Sequence, residues 1–183
     1  MRRVPRSALL LRAVNVGGNA LRMATFAEIL TDAGCSSVQT FGASGTAVVE
    51  TPTNVRGETL EQKVEVALRQ RAGLRTEVFA RERDEWNGVI RSNPFPREAQ
   101  DDPAHLLVVF LKRRPEPVSW SRLAGVVAGP ERTAPGGRHA YIVYPGGIGR
   151  SKLTAARIDR ALGVPGTGRN WNTVVSLHSK LRP

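Results

Sequence analysis

The sequence predicts an α+β fold of two ferredoxin-like (α/β plait) subdomains in tandem, each an antiparallel sheet with helices on one face. Strand and helix patterns alternate over the first eighty residues in the order βαββαβ, which is the order of a ferredoxin-like unit. The second half repeats most of this order, and a stretch rich in turn formers, 93–103, lies near the junction. We therefore expect one subdomain over 1–81 and a second, irregular one over 82–183.

Apolar spacing gives the elements of the first subdomain. An apolar run indicates a buried strand, and spacings of three and four residues indicate a helix. A glycine after such a stripe is typical of a helix end. The predicted elements are a strand at 7–14, a helix from Met23 to Ala33 that Gly34 ends, strands at 37–43 and 46–51 joined by a tight Ser44-Gly45 turn, a helix carrying Leu60, Val64 and Leu68 that ends at Gly73, and a strand at 75–81.

The second subdomain shows a looser version of the same plan. The pattern predicts βαββα, with a helix where a final strand would complete the unit. The predicted elements are a connecting helix at 81–91, a loop at 93–103, strands at 104–112 and 138–145 with 127–134 pairing to the latter, a short helix at 118–125, and helices at 151–163 and 170–181.

The composition is that of a globular protein with a strongly basic balance. The formal net charge is +11, and the excess lies towards the two ends of the chain. A basic surface favours nucleic acid or phosphorylated ligands. The alternative is a compositional origin, because 23 of the 27 basic residues are arginine.

The apolar runs are too short for a membrane span or a secretion signal. Arg12 interrupts the first run, and the run at 106–111 has the length of a strand. We expect a cytoplasmic protein with no membrane partner. With a single cysteine, Cys35, no intrachain disulfide can form.

Three stretches together resemble one known family. They are LLLRAVNVGGNALRM (9–23), SGTAVVE (44–50) and SKLTAARIDRALGVPGTGRNWNTVVSL (151–177). The chain is similar in them to the bacterial family catalogued as domain of unknown function 1697. The resemblance implies two ferredoxin-like subdomains in tandem and no established activity. This sequence departs from the family pattern in having Ala13 for glycine, and Ala43-Ser44-Gly45-Thr46 for Gln-Ser-Gly-Asn.

Two strand-to-helix loops are the candidate anion sites. Backbone N–H groups and the dipole at a helix start attract anions. In YPGGIGRSKLT (144–154), Ser151 is placed to cap a helix, and in NVGGNALR (15–22) paired glycines precede one. The alternative is an ordinary glycine turn with solvated cations. The candidate residues of these loops and of the hairpin turn are Asn15, Gly17, Gly18, Asn19, Arg22, Ser44, Gly45, Arg150, Ser151, Lys152 and Thr154.

The segment RNWNT (169–173) has competing interpretations. In the first, Trp171 stacks on a nucleic-acid base while Arg169 binds a phosphate group. In the second, Trp171 begins the buried apolar stripe of a helix that also includes Val174, and the spacing of these residues favours this burial. In the second case Asn170 is the N-cap. In a third, Trp171 packs inward while Arg169 and Asn172 face a cleft.

No familiar catalytic or metal-binding pattern is present. The three histidines lack metal-ligand spacing, and neither C-x-x-C nor G-x-S-x-G occurs. The sequence therefore predicts no cofactor and no metal site. Its favoured function is a non-catalytic binding protein for nucleic acid, a nucleotide or another phosphorylated small molecule. The alternative functions are an enzyme for a small phosphorylated substrate held between the subdomains, and a protein-interaction domain.

Overall fold

We describe the fold from a computed structural model that covers residues 4–15, 17 and 18, 20–52 and 54–182. The chain divides into two compact units. The first consists of Met1–Asn87 and Leu177–Pro183, and the second of Gly88–Ser176. The predicted division of the chain at residue 82 into folding domains stays a prediction.

The first unit contains a four-stranded antiparallel sheet in the order β2-β3-β1-β4. Its strands are β1 (Arg6–Leu11), β2 (Ser36–Phe41), β3 (Thr46–Glu50) and β4 (Val78–Glu82). Two helices connect them, α1 (Met23–Asp32) and α2 (Gly57–Ala72). This is the βαββαβ arrangement of a ferredoxin-like unit.

The second unit repeats the arrangement with the sheet order β6-β7-β5-β8. Its strands are β5 (Leu106–Leu111), β6 (Arg132–Pro135), β7 (His139–Val143) and β8 (Gly166–Asn170). The helices are α3 (Arg83–Arg91), which begins in the first unit, α4 (Pro96–Asp101), α5 (Pro117–Gly125), α6 (Ala155–Leu162) and α7 (Trp171–Leu181), which ends in the first unit. The predicted α+β fold of two ferredoxin-like subdomains in tandem is confirmed.

Each unit buries the helix-facing side of its sheet in its own core. In the first, Phe26 and Ile29 of α1 and Val64 of α2 pack against Leu9 and Leu11 of β1. In the second, Ile158 of α6 packs with Val109, Leu111 and Ile142 of the sheet. Apolar side chains repeated at helical spacing thus fix which face of each helix meets the sheet.

Several local predictions are wrong. Residues 166–170 form a strand, β8, so the second unit has the final strand that its sequence does not predict, because two glycines weaken the strand pattern. The predicted loop at 93–103 contains α4, which begins with a proline. The hairpin connection is four residues long, since β2 ends at Phe41 and β3 begins at Thr46.

No helix within the described part of the chain is both long enough and apolar enough to span a bilayer.

Candidate functional site

Asn15 closes the glycine loop of the first unit on itself. Its Nδ2 donates to the carbonyl oxygens of Leu21, at 3.1 Å, and Ala43, at 2.5 Å. Its Oδ1 accepts from the Leu21 N–H at 2.8 Å. The backbone of Asn15 is left-handed, with φ of +58°, a conformation that asparagine tolerates. The side chain therefore ties the loop to the hairpin turn, and two of the predicted segments lie together.

Three other candidate residues of this loop lie at the surface. Gly17, Gly18 and Arg22 are exposed, and both glycines have positive φ. Arg22 immediately precedes α1, and its side chain does not cap that helix. Asn19 lies outside the described residues.

Gly45 of the hairpin turn is required by close packing. Its φ is +66°, and a Cβ there would lie 2.7 Å from the Cβ of Leu11. The neighbouring Ser44 is exposed, with its Oγ 3.4 Å from Oγ1 of Thr46. Gly45 therefore has a packing role at the end of β1.

The glycine loop of the second unit differs from the prediction at its helix start. Thr154 is the N-cap of α6, and its hydroxyl accepts from the Arg157 N–H. Ser151, the predicted cap, lies three residues earlier. Its hydroxyl donates to Oε1 of Glu131 and accepts from the Leu153 N–H at 2.9 Å. Ser151 therefore orders the loop, and the capping prediction is wrong.

The charges around this second loop are mixed. Arg150 and Lys152 are exposed, and Nη1 of Arg157 donates to the Lys152 carbonyl at 3.2 Å. The hydroxyl of Ser151 holds the pKa of the Glu131 carboxyl below its ordinary value. Because that carboxylate stays ionised beside the loop, it opposes the binding of an anion there.

The RNWNT segment joins β8 directly to α7. Asn170 is the N-cap of α7, because its Oδ1 accepts from the N–H of Thr173 at 3.0 Å and from its hydroxyl at 2.9 Å. Trp171 is buried, whereas Asn172 is exposed. The prediction that Trp171 packs inward behind an Asn170 cap is confirmed.

Arg169 is a buried residue of the β8 strand. Its Nη1 donates to Oγ1 of Thr167 at 3.0 Å and to the carbonyl of Gly168 at 2.8 Å. Burial lowers the pKa of Arg169 to about 10. The interpretation in which Arg169 and Asn172 face a cleft stays a prediction.

Sequence reasoning missed a groove of about 650 Å³ in the first unit. Three separate segments line it: the residues just after β1, one face of α2 and the turn before β4. We call it the arginine groove, and its lining residues are Arg12, Ala13, Gln62, Glu65, Val66, Arg69, Arg75, Thr76 and Glu77. The segments meet only in the folded unit, so spacing along the chain gives no signal for the groove.

Hydrogen bonds hold one wall of the arginine groove in place. Arg12 pairs with Glu77 across 3.3 Å, and Oγ1 of Thr76 donates to the Arg12 carbonyl at 2.5 Å. Oε1 of Glu65 accepts from the backbone of β4. Both carboxylates of the groove are therefore engaged by the protein.

The second unit contains a smaller, mainly apolar cavity of about 180 Å³ between α6 and the sheet. We call it the α6 cavity, and its lining residues are Leu107, Val109, Tyr144, Ile148, Ala155, Ile158, Asp159, Gly166 and Gly168. Burial raises the pKa of Tyr144 to about 12, and its hydroxyl donates to the Leu153 carbonyl. Tyr144 is therefore neutral and helps to hold the loop above the cavity.

The sequence also did not predict a histidine that is oriented by a neighbouring carboxylate. Nδ1 of His105 lies 2.7 Å from Oδ2 of Asp102, a residue of the predicted loop at 93–103. Such a pair orients an imidazole for proton transfer when a reactive group is nearby. Burial raises the pKa of the Cys35 thiol, which disfavours the thiolate that a cysteine nucleophile requires. Within the described residues, no group of three or more His, Cys, Asp or Glu side chains has the geometry to hold a metal ion.

Comparison with known proteins places the chain in a family. It belongs to the family described as "Protein of unknown function (DUF1697)", whose model matches residues 4–141, as the predicted resemblance implies. The third stretch that carries the resemblance, 151–177, lies beyond the matched residues.

One solved structure has a similar fold along nearly the whole chain. It is the conserved bacterial protein SP0830 from Streptococcus pneumoniae, which is 20% identical with a TM-score of 0.69. The match covers 97% of this chain and 99% of that one. No curated protein matches the sequence. The family model therefore assigns the chain to a family of unknown function, and the solved structure shows the fold alone.

Proposed function

We propose that the protein is a non-catalytic binding protein for a phosphate-bearing ligand, and that the arginine groove is its binding site. The observation that carries the proposal is the presence of three guanidinium groups, Arg12, Arg69 and Arg75, along one groove. They come from three segments of the first unit, so the fold itself assembles them.

The chemistry of the groove suits a phosphate group. A guanidinium offers a planar fork of donors that matches phosphate oxygens, and it stays charged at neutral pH. Arg69 and Arg75 are exposed, while the carboxylates of Glu65 and Glu77 already accept protein hydrogen bonds. Two cations are thus presented to an incoming anion.

The size of the groove favours a small ligand. Pockets for ligands of drug or cofactor size have volumes of about 300–1,000 Å³, a range that includes the groove. Gln62 and Thr76 add polar groups, and Val66 adds an apolar contact. This combination suits a nucleotide, whose phosphates and base need different surroundings.

Thermal-shift and calorimetric titration with ATP, ADP, glucose 6-phosphate and pyrophosphate test the proposal. A ligand at one hundred times its Kd raises stability by about 2.7 kcal/mol, so binding is readily seen. We expect Arg69→Gln and Arg75→Gln each to weaken binding at least tenfold. The matched control is Arg56→Gln, an exposed arginine of the same unit outside the groove.

The failure of all four probes to stabilise the protein would overturn the small-ligand form of the proposal. An equal loss of binding in Arg56→Gln would instead show a general charge effect. Oligonucleotide binding across a salt series tests nucleic acid as the ligand. The log–log slope is then about 0.9 per neutralised phosphate for duplex DNA, and each groove substitution lowers it.

A further inference from the structure

In each unit the last strand of the βαββαβ order lies at one edge of the sheet: β4 in the first unit and β8 in the second. Both pair with the first strand of their unit in the same way. Leu11 of β1 lies opposite Val78 of β4, and Leu111 of β5 lies opposite Gly166 of β8. Counting along the strands from these pairs gives the correspondence of the edges: Val78 with Gly166, Ala80 with Gly168, and Arg81 with Arg169.

Carboxylates of α2 bind the outward N–H groups of β4. Oε1 of Glu65 accepts from the Val78 N–H at 2.9 Å, and Oε1 of Glu61 accepts from the Ala80 N–H at 2.8 Å. Nη1 of Arg81 donates to the Ala80 carbonyl at 2.8 Å and lies 3.8 Å from the Glu61 carboxylate. Glu61 is buried, so a carboxylate and a guanidinium meet inside the unit at this edge.

The β8 edge repeats part of this arrangement. Oδ1 of Asp159 accepts from the Gly166 N–H at 3.0 Å, as Glu65 does at Val78. Nη1 of Arg169 donates to the Gly168 carbonyl at 2.8 Å, as Arg81 does at Ala80. The helix residue one turn before Asp159 is Ala155, which stands where α2 has Glu61. The carboxylate that would bind the Gly168 N–H is therefore missing from α6.

The Gly168 N–H points away from β5. The Lys112 N–H donates to the Pro165 carbonyl at 3.0 Å, which makes these two residues a hydrogen-bonded pair. Pairs alternate along an antiparallel ladder, so Gly168 and Val109 form a pair without mutual hydrogen bonds. Gly168 and Ala155 are exposed, and both line the α6 cavity. By the correspondence of the two edges, this cavity takes the position of the buried Glu61 side chain of the first unit.

We propose that the α6 cavity binds the carboxylate of a short aliphatic acid, which takes the place that Glu61 has in the first unit. The ligand carboxylate accepts the Gly168 N–H and lies beside the Arg169 guanidinium. Its aliphatic part contacts Leu107, Val109 and Ile158. This ligand and site are distinct from the phosphate ligand of the arginine groove.

The carboxylate of Asp159 does not exclude such a ligand. In the first unit, Glu61 and Glu65 already place two carboxylates one helical turn apart, each on its own backbone N–H. A volume of about 180 Å³ is below the usual range for drug-sized ligands, which limits the occupant to a few carbon atoms. Both a free short-chain acid and the C-terminal residue of a peptide present this chemistry.

Titration of the full-length protein with isovalerate, followed by the backbone amide signal of Gly168 in NMR spectra, tests the proposal. We expect a saturable downfield shift, because the amide gains a charged acceptor. Isovaleramide has a similar shape without the charge and should give no saturable shift. The peptide N-acetyl-Gly-Leu and its C-terminal amide distinguish a peptide end from a free acid as the preferred source.

Ala155→Glu supplies the missing carboxylate within the chain. We expect it to raise the Tm and to abolish the Gly168 shift with isovalerate, whereas Ala155→Gln keeps the size without the charge and does not raise the Tm. An unchanged shift in Ala155→Glu overturns the proposal. If that variant does not fold, the wild-type protein decides: equal responses to isovalerate and isovaleramide, or no saturable response to either, overturn it.

Discussion

The two units have the same strand order but helices of different length beside their edge strands. The α2 helix has sixteen residues and reaches β4 with two carboxylates, whereas α6 has eight and reaches β8 with Asp159 alone. The shared topology therefore determines which backbone N–H groups of the edge strand point outward and need a hydrogen-bond acceptor. The length and sequence of the covering helix decide whether the protein supplies that partner.

The strand-to-helix junctions of the two units are capped in opposite directions. At the start of α3, the Glu85 carboxylate reaches back to the Glu82 N–H at 3.2 Å. At the start of α7, Asn170 reaches forward to the Thr173 N–H. Both solutions satisfy one backbone donor at the junction, so different residues do equivalent work at the same place in the fold.

Removal of Glu61 should have the largest effect on stability, because its carboxylate binds the Ala80 N–H and lies beside the Arg81 guanidinium at the β4 edge. Glu61→Ala leaves the Arg81 guanidinium and the Ala80 N–H buried without this carboxylate. Breaking a buried ion pair in this way costs about 3–5 kcal/mol. Denaturant unfolding measures the loss, and Glu58→Ala on the exposed side of the same helix should stay within about 0.5 kcal/mol of the wild type. A loss below about 1 kcal/mol would show that the Glu61 carboxylate contributes little.

Gly166→Ala tests whether the β8 edge requires glycine. A Cβ at this position would lie 2.6 Å from Cγ1 of Val109 and 3.2 Å from the Phe110 carbonyl oxygen. Overpacking of this kind costs about 1–3 kcal/mol, which the free energy of unfolding reports. The control is Gly88→Ala in α3, where the space is open and alanine favours the helix. Equal stability of the two variants would argue against the packing requirement.

Asn170→Ala should cost about 1 kcal/mol through loss of the α7 cap. Asn172→Ala, two residues along the same helix, should have almost no effect because its side chain is exposed. Thermal unfolding compares the pair. Similar destabilisation by both substitutions would contradict the capping assignment, because it would show that the exposed Asn172 side chain stabilises the protein as much as Asn170 does.

Ala13→Gly should give the smallest change, a gain of no more than about 1 kcal/mol. Ala13 has φ of +50°, a backbone conformation that is strained for alanine by about 1–2 kcal/mol, and added chain entropy offsets part of the gain. The corresponding residue of the second unit, Arg113, is not among the described residues with positive φ. Ala72→Gly, in the helical backbone of α2, should lower the Tm instead. A lower Tm in Ala13→Gly would contradict the strain argument.

Sequence patterns predicted the elements whose apolar residues repeat at a regular period. The stripe of α2, the glycine that ends it and the cap of α7 all follow from local spacing. Local signals failed at β8, because glycines at 166 and 168 are selected by contact with Val109 and Leu107 and not by strand propensity. The helix start at Thr154 was misplaced because Ser151 is also a good capping residue, and its hydroxyl bonds elsewhere.

By itself, the sequence determined the fold class, the order of most elements and the burial of Trp171, because hydrophobic periodicity and capping act within a few residues along the chain. Only the tertiary structure decided which polar groups share a site. The arginine groove brings together residues more than sixty positions apart in the chain. The α6 cavity of the second unit lies where α6 has no counterpart of the Glu61 carboxylate of the first unit. Such relations depend on strand register and helix length, which no short stretch of sequence contains.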